Sequence, residues 1–413
     1  MAERSAHYVL LGGGLAAATA AEAIRKEDKT ESVLIIGSEN RLPYNRPPLT
    51  KEYLRGQAEA KDVYLHPEEW YAEQKIDLML GRTAEAIDVD GRTVRLDRGD
   101  VVKYEKLLLA TGATPVKPDI PGIDQPTVQT MRRWEDCDAL RPFLKQRIAI
   151  LGGGYIGFEV SAASAEEGGR PVLLERSNRI LGKSVSPQLS EWLAHKLVTA
   201  GVEIVFNVDV DSITPSGVQA KDGRTFLADR VLVATGVKTN IDIARAAGIA
   251  VDEESHGVVV DAYLTTSVDN IWAAGDIATF DDPVLGRRWR VEHYNNALWH
   301  GEIAGGNMAG LRKPYDHVAN FYSYELDIQF ELFGDPKAGQ HALFHGDPDS
   351  NRFDELYVDP EGHVVMVVSI NPPEDLYPTL EKLPRLKPNI KGREAEISRA
   401  VFDLKTLVER NSE

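Results

Sequence analysis

The sequence predicts an α/β protein: two domains built on parallel sheets, and a C-terminal α+β domain with an antiparallel sheet. Three observations carry this. Two glycine-rich turns lie 140 positions apart, at Gly12 to Ala17 and Gly152 to Gly157, each between an apolar run and an alanine-rich or amphipathic stretch. The tripeptide Ala-Thr-Gly closes an apolar run twice, at 110–112 and 234–236. From position 322 to 332 apolar residues alternate with polar ones, the period of a strand and not of a helix.

His7 to Leu11 reads as a short buried strand, and Gly12-Gly13-Gly14-Leu15-Ala16-Ala17 as the turn that opens the first helix. A lone G-x-G-x-x-G also occurs at ordinary tight turns, so the flanking residues decide. A second apolar run follows at Val33 to Ile36, and Glu39 lies just past it, 22 residues after Ala17. An acidic residue about 20 positions on is where a dinucleotide's ribose hydroxyls are held. The second copy repeats the order: Arg147 to Leu151, then Gly152-Gly153-Gly154-Tyr155-Ile156-Gly157, then Val172 to Leu174, then Glu175, 18 residues after Gly157. In each copy the backbone amides at a helix N-terminus can face a pyrophosphate. Two Rossmann-like dinucleotide-binding domains are therefore expected, and two dinucleotides in one chain imply electrons passing from one to the other.

The first domain extends to Ala110-Thr111-Gly112, and the second ends at Ala234-Thr235-Gly236. The chain then returns to the first domain through Gly257 to Asp261, through Asn270 to Asp276, and through a helix from about Asn295 to Met308. Asp276 sits at the carboxyl end of a buried strand, where open α/β sheets bind ligands. Tyr322 to Leu332 reads as one alternating strand, and 353–358 with 363–370 as a hairpin across Asp359-Pro360-Glu361-Gly362. The expected division is 1–112 with 241–314, then 113–240, then 315–413.

At 413 residues, 43% of them hydrophobic, the chain has ample material for ordinary cores. A net charge of −17 excludes a nucleic-acid or anionic-membrane surface, and no apolar run reaches the roughly 18 residues of a membrane span. Cytoplasmic residence is expected, and no metal site. The single cysteine, Cys137, follows Trp134-Glu135-Asp136 in a polar segment, so no protein sulfur relay is available.

The most specific segment is Pro43-Tyr44-Asn45-Arg46-Pro47-Pro48-Leu49-Thr50-Lys51, whose three prolines stiffen a loop carrying two cations. Arg46 can offer its guanidinium fork to a pyrophosphate, and Lys51 would lie nearer a redox ring. A cation there needs a carboxylate partner, and Glu159, two residues past the second glycine turn, is the candidate. Glu175 would accept bonds from the ribose hydroxyls of NADH and repel the 2′-phosphate of NADPH; the neighbouring Arg176 could offset that repulsion. Tyr155 reads either as a ring that covers the redox ring until the second dinucleotide displaces it or as a packing aromatic.

Through Gly12 to Ala17, Pro43 to Lys51, Ala110-Thr111-Gly112, Gly152 to Glu159, Gly275-Asp276 and Val291-Glu292-His293, the chain resembles the FAD-dependent NAD(P)H oxidoreductases that include ferredoxin, rubredoxin and putidaredoxin reductases, apoptosis-inducing factor and monodehydroascorbate reductase. The resemblance implies a glutathione-reductase-like arrangement, with FAD on the first fingerprint and NAD(P)H on the second. It also implies Asp276 on the ribitol, Arg132 near the FAD phosphates or adenine, and Glu292, His293 and Tyr322 bordering the two rings. Either Ser38 or Glu39 stands where the family binds the FAD ribose. Many ferredoxin reductases have tryptophan where this chain has Tyr322, and Leu298 replaces the arginine that monodehydroascorbate reductase uses for its radical.

The expected FAD set is Gly12, Gly14, Leu15, Ala16, Ala17, Ser38, Glu39, Arg46, Lys51, Ala84, Ala110, Thr111, Gly112, Arg132, Gly275, Asp276, Glu292, His293 and Tyr322. The expected NAD set is Gly152, Gly154, Tyr155, Ile156, Gly157, Glu159, Glu175, Lys183 and Gly236. Lys51, Glu159 and Tyr322 are expected to act in catalysis. The expected reaction passes electrons from NADH through FAD to a ferredoxin or rubredoxin. The alternatives are reduction of a quinone or monodehydroascorbate, and an NADH-sensing role like that of apoptosis-inducing factor. Arg287, Arg288 and Arg290 are candidates for a positive docking patch or an ordinary exposed loop.

Overall fold

Strand Glu3–Leu11 runs straight into the first glycine turn and lies in the parallel part of a mixed sheet, with Val33–Gly37 and Ile76–Leu80 on one side and Val101–Leu109 on the other. Val9, Leu10, Leu34, Ile35, Leu107, Leu108 and Leu109 are fully buried. Strands covered on both faces lose the alternation of half-buried ones, which is why they read in the sequence as unbroken apolar runs. The computed structural model describes residues 3–339 and 341–409; the outermost residues of the first and third expected domains lie outside them. Two units are present. One comprises Met1–Asn45, Ala60–Thr114 and Lys238–Ala319; the other comprises Arg46–Glu59, Pro115–Val237 and Asn320–Glu413.

In the first unit the returning strand Ile271–Ala273 pairs in parallel with Val101–Leu109, Ile271 opposite Leu107. Gly257–Val259, expected as part of that return, lies in this unit too, in a separate four-stranded sheet with Val251–Asp252, Ala278–Asp282 and Arg287–Arg290. Helix Leu15–Glu27 packs along helix Tyr294–Met308. A Cβ on Gly301 would lie 2.4 Å from the Ala16 carbonyl oxygen, and one on Gly305 would lie 2.3 Å from that of Ala20. Glycine inside a helix costs roughly 1 kcal/mol relative to alanine; here it permits an approach that any side chain would block.

The second unit holds a parallel sheet in the order Glu203–Val205, Val172–Leu174, Ile148–Leu151, Arg230–Val233, Val128–Thr130. Strand Ile148–Leu151 is flanked by the next strand on one side and by a returning strand on the other, the arrangement that opens a ligand crevice at the carboxyl end. A five-stranded antiparallel sheet follows, in the order Asn320–Glu325, Ile328–Gly334, Val364–Ile370, Arg352–Val358, His341–Asp347. The expected hairpin is its Arg352–Val358 and Val364–Ile370 pair.

The expected single strand over 322–332 is corrected to two, joined by a turn at Leu326 and Asp327, where Leu326 has a φ of 57°. Two residues make one strand period, so the alternation counts through a two-residue turn without showing it. On the first of the two strands the faces are also reversed from what the pattern suggests, while Ile328, Phe330 and Leu332 on the second are buried as expected. Ser323 and Glu325 are each 4% exposed, whereas Tyr324 is 49% exposed.

Candidate active site

In the first unit the glycine turn is shaped by contact with the first Ala-Thr-Gly. Gly12 has a φ of 136°, and a Cβ there would lie 2.1 Å from the Ala110 carbonyl oxygen. Gly14 caps helix Leu15–Glu27 with no side-chain hydrogen bond, and a Cβ on it would meet nothing within 4 Å. One glycine is compressed and the next is open toward solvent, as a turn needs when its amides face a ligand. Gly275, with a φ of 74°, closes on this turn: its Cβ would stand 3.3 Å from that of Ala16. Thr111 donates to the Asn240 carbonyl at 2.7 Å, and the Asn240 side-chain amide donates back to the Thr111 carbonyl at 2.9 Å. These bonds and the Asn240 amide on the Gly112 carbonyl at 2.9 Å fix that corner.

Glu39 is half-buried and accepts a 2.6 Å bond from the Tyr44 hydroxyl, while Ser38 is exposed. Ala84 lies on strand Ala84–Asp88, opposite Leu96. Asp276 stands in the turn Gly275–Ile277, whose backbone is held by Arg290 through a 2.8 Å bond to the Asp276 carbonyl. Arg290 also reaches the Ser255 carbonyl at 2.7 Å and Glu292 at 2.6 Å, and Arg288 pairs with Asp281 at 2.9 Å. All three arginines weighed as a docking patch are thus engaged with neighbours in their own unit, Arg287 lying 5.1 Å over the Trp289 ring. His293 caps helix Tyr294–Met308, and the Tyr294 hydroxyl donates to Asn45 at 2.6 Å.

The second unit repeats the first turn's construction. A Cβ on Gly152, φ 109°, would lie 2.5 Å from the Ala234 carbonyl oxygen, and Gly154 caps helix Tyr155–Glu166 with open space around it. A Cβ on Gly157 would lie 1.9 Å from the Gly152 oxygen, so Ile156 and Gly157 bring the helix against its own strand. Gly236 has a φ of 119° and no neighbour within 4 Å of a Cβ. Glu175 braces the turn: its carboxylate accepts from the Gly153 amide at 2.6 Å and from the Ser177 amide and hydroxyl at 2.7 Å each. Burial pushes this carboxyl up, but the Ser177 and Gly153 bonds outweigh it and hold it below the ordinary glutamate range. Lys183 is exposed. The Tyr155 ring lies 4.0 Å from that of Phe321, and burial pushes its hydroxyl up to about 12.

The proline-rich segment places Lys51 in the same unit as Glu159. Lys51 follows the short helix Pro47–Thr50, and its Nζ lies 2.5 Å from Glu159 on helix Tyr155–Glu166. Both side chains are 7% exposed. The second oxygen of Glu159 accepts from Thr50 at 2.6 Å, and Ser323 donates to the first at 2.9 Å. Arg46 donates to the Arg132 carbonyl, and the Arg132 amide donates to Asp136 at 2.8 Å. Tyr322 lies on the strand that supplies Ser323, half-buried, its ring 5.7 Å from that of Tyr324.

Sequence reasoning missed Thr50, Ser323 and Glu325 as members of this cluster. Glu325 lies 3.3 Å from Lys51 Nζ with its side chain 1% exposed. Its signal was present but read in the wrong sense: a charged residue in the polar phase of an alternating strand is ordinarily solvated. Cys137 is fully buried within helix Trp134–Leu140, and burial pushes its thiol up to about 12. It is therefore no redox thiol.

Residues 6–301 match the family model described as pyridine nucleotide-disulphide oxidoreductase. The chain is 33% identical over 373 residues, 88% of this chain and 90% of the relative, to the Castellaniella defragrans protein named "Probable ferredoxin reductase CtmF". It is 32% identical over 384 residues, 89% of this chain and 92% of the relative, to the ferredoxin--NAD(+) reductase component of the anthranilate 1,2-dioxygenase system of Burkholderia cepacia. Among solved structures, the covalent putidaredoxin reductase-putidaredoxin complex matches with a TM-score of 0.92 at 27% identity, over 98% of this chain and 99% of that chain.

Proposed function

We propose that this chain, which belongs to the pyridine nucleotide-disulphide oxidoreductase family, is an FAD-dependent oxidoreductase that takes electrons from NADH and delivers them to a ferredoxin-type protein. The observation that carries the reading is the Lys51–Glu159 pair, buried and set on the very helix that the second glycine turn opens. A desolvated cation is tolerable only with a partner, which Glu159 supplies, and so held it can stabilise negative charge that arrives beside it. A single buried cysteine rules out the internal dithiol that the family's name describes.

The residues present fit two dinucleotides. Gly14 and Gly154 leave helix N-termini without side-chain caps and with free space, while Gly12 and Gly152 hold the turns against neighbouring carbonyls. Gly12, Gly14, Leu15, Ala16, Ala17, Glu39, Ala110, Thr111, Gly112, Gly275 and Asp276, with Arg46 and Arg132, are assigned to FAD. Gly152, Gly154, Tyr155, Ile156, Gly157, Glu175 and Gly236 are assigned to NADH. The assigned domains are 1–112 with 241–314 for FAD, 113–240 for NADH, and 315–413 as the α+β domain. Bound FAD supplies the ability to accept a hydride and release electrons one at a time.

The chain's own residues do the rest. Glu175, held below its usual range, stays anionic at neutral pH and favours the free ribose of NADH over a 2′-phosphate. Glu159 fixes the Lys51 ammonium, and Thr50 and Ser323 fix Glu159. A reduced, buried thiol and a supply of NADH support a cytoplasmic location; among the described residues no helix is long and apolar enough to cross a membrane. The test is cytochrome c reduction by NADH with and without an added ferredoxin. Reduction only in its presence supports the reading, and equal rates without it refute protein-mediated transfer.

A further inference from the structure

Lys51 faces two buried carboxyl groups, and only one of them is provided for. Glu159 takes the ammonium at 2.5 Å together with the Thr50 and Ser323 hydroxyls. Glu325, at the end of strand Asn320–Glu325, lies 3.3 Å from the same Nζ, and neither of its oxygens accepts a well-aligned hydrogen bond. The other charges that face it are Glu159 and Glu166, both on helix Tyr155–Glu166 and both repelling; Glu166 is itself held by Arg55. One cation cannot compensate two buried anions, and the carboxyl without hydrogen bonds is the one that keeps a proton. Burial is the largest influence and pushes Glu325 up to about 8, against the downward pull of Lys51.

We propose that Glu325 is the proton-holding residue of the Lys51 site, taking up a solvent proton when negative charge arrives beside Lys51 and releasing it when that charge leaves. This rests on the reading that NADH reduces FAD next to Lys51. In that step NADH is oxidised to NAD⁺ and its nicotinamide gains one positive charge, the flavin is reduced by the transferred hydride and gains one negative charge, and no proton is exchanged with water by these two partners; the site is left with one added negative charge when NAD⁺ leaves. If Glu325 is ionised beforehand, one solvent proton binds a carboxylate oxygen and returns the site to its former net charge. If it is already protonated, nothing further is taken up. Glu325 acts through the field at Lys51, so it is a positioning residue for charge and not a catalytic one.

The test uses the flavin-loaded protein with a pH-indicator dye in weak buffer, reduced anaerobically by one equivalent of NADH. Well above about 8, where Glu325 is empty, one proton disappears from solution per flavin reduced. Well below it, none does. Glu325→Gln abolishes the uptake at every pH, and Glu325→Leu does the same should the first variant not fold. Uptake absent from the parent protein at high pH, or undiminished in the variants, overturns the proposal. Infrared spectra of the resting protein separate the two readings. A protonated-carboxyl band lost on raising the pH through about 8 and missing from the variants supports the proposal even if NADH fails to reduce the flavin, which would sink the proposed function alone. No such band overturns it.

Discussion

At Lys51 the surroundings decide the chemistry, because an ammonium 7% exposed is tolerable only with a partner. Replacing it by methionine leaves Glu159 and Glu325 without a cation, and removing one side of a buried pair costs about 3–5 kcal/mol. Reduction of the flavin by NADH should slow by about 10²–10³-fold, the usual loss when a positioned charge stabiliser is removed; stopped-flow absorbance measures it, and an unchanged rate would separate Lys51 from the reaction. Glu325 also ties stability to pH. Its folded-state carboxyl is raised from 4.5 to about 8, so its contribution is full below the lower value and is lost as pH rises through the upper one. Thermal unfolding from about pH 5 to about pH 9 should show the parent protein losing stability relative to Glu325→Gln. Parallel curves would contradict a raised carboxyl. At Glu175, substitution by alanine removes both the repulsion of a 2′-phosphate and the brace on Gly153. The NADH over NADPH preference in kcat/KM should fall about 10–100-fold, the worth of roughly 1–3 kcal/mol.

At the scale of elements, the two glycine turns make one substitution behave in opposite ways. Gly12→Ala drives a Cβ to 2.1 Å from a carbonyl at a φ of 136° and should leave little folded, flavin-bearing protein. Gly154→Ala meets nothing within 4 Å, so the protein should fold normally, and its defect should appear as a raised KM for NADH. Circular dichroism, bound-flavin absorbance and steady-state kinetics distinguish the outcomes; equal folding defects would contradict the compressed and open roles assigned to these glycines. Both turns were legible in the sequence because a strand, a glycine turn, a second strand and an acidic residue are all local. The strand Asn320–Glu325 was not legible in its detail. Its turn preserves the period of two, and its burial is set by a lysine and a helix hundreds of positions away, so Glu325 and Ser323 looked like solvated residues and Tyr324 like core. The return of Gly257–Val259 to the first unit was legible, but an apolar run shows that a strand is buried and not which sheet it joins, so its place in a separate four-stranded sheet was not.

Over the whole molecule, the repeated order of motifs made two nucleotide folds legible, together with an antiparallel third part. The segment Arg46–Glu59 stood out by its prolines and cations, but nothing in them showed that it belongs with the second unit although it follows the first glycine fold in sequence. What the chain does with its electrons follows from its inventory: one thiol, buried and pushed up to about 12, leaves no sulfur relay. Cys137→Ser buries a hydroxyl and should lower stability by about 1–3 kcal/mol, but kcat of the folded protein should stay within about twofold because no electrons pass through this position; a large loss in kcat of the folded protein would reopen a sulfur route. The most direct measurement of the central claim is anaerobic stopped-flow reduction of the bound flavin by NADH and by NADPH, followed by reoxidation with a ferredoxin. The account predicts rapid bleaching by NADH, slower bleaching by NADPH, and recovery of the flavin spectrum on mixing with oxidised ferredoxin. A protein that binds no flavin, or a bound flavin that neither nucleotide bleaches, would contradict it.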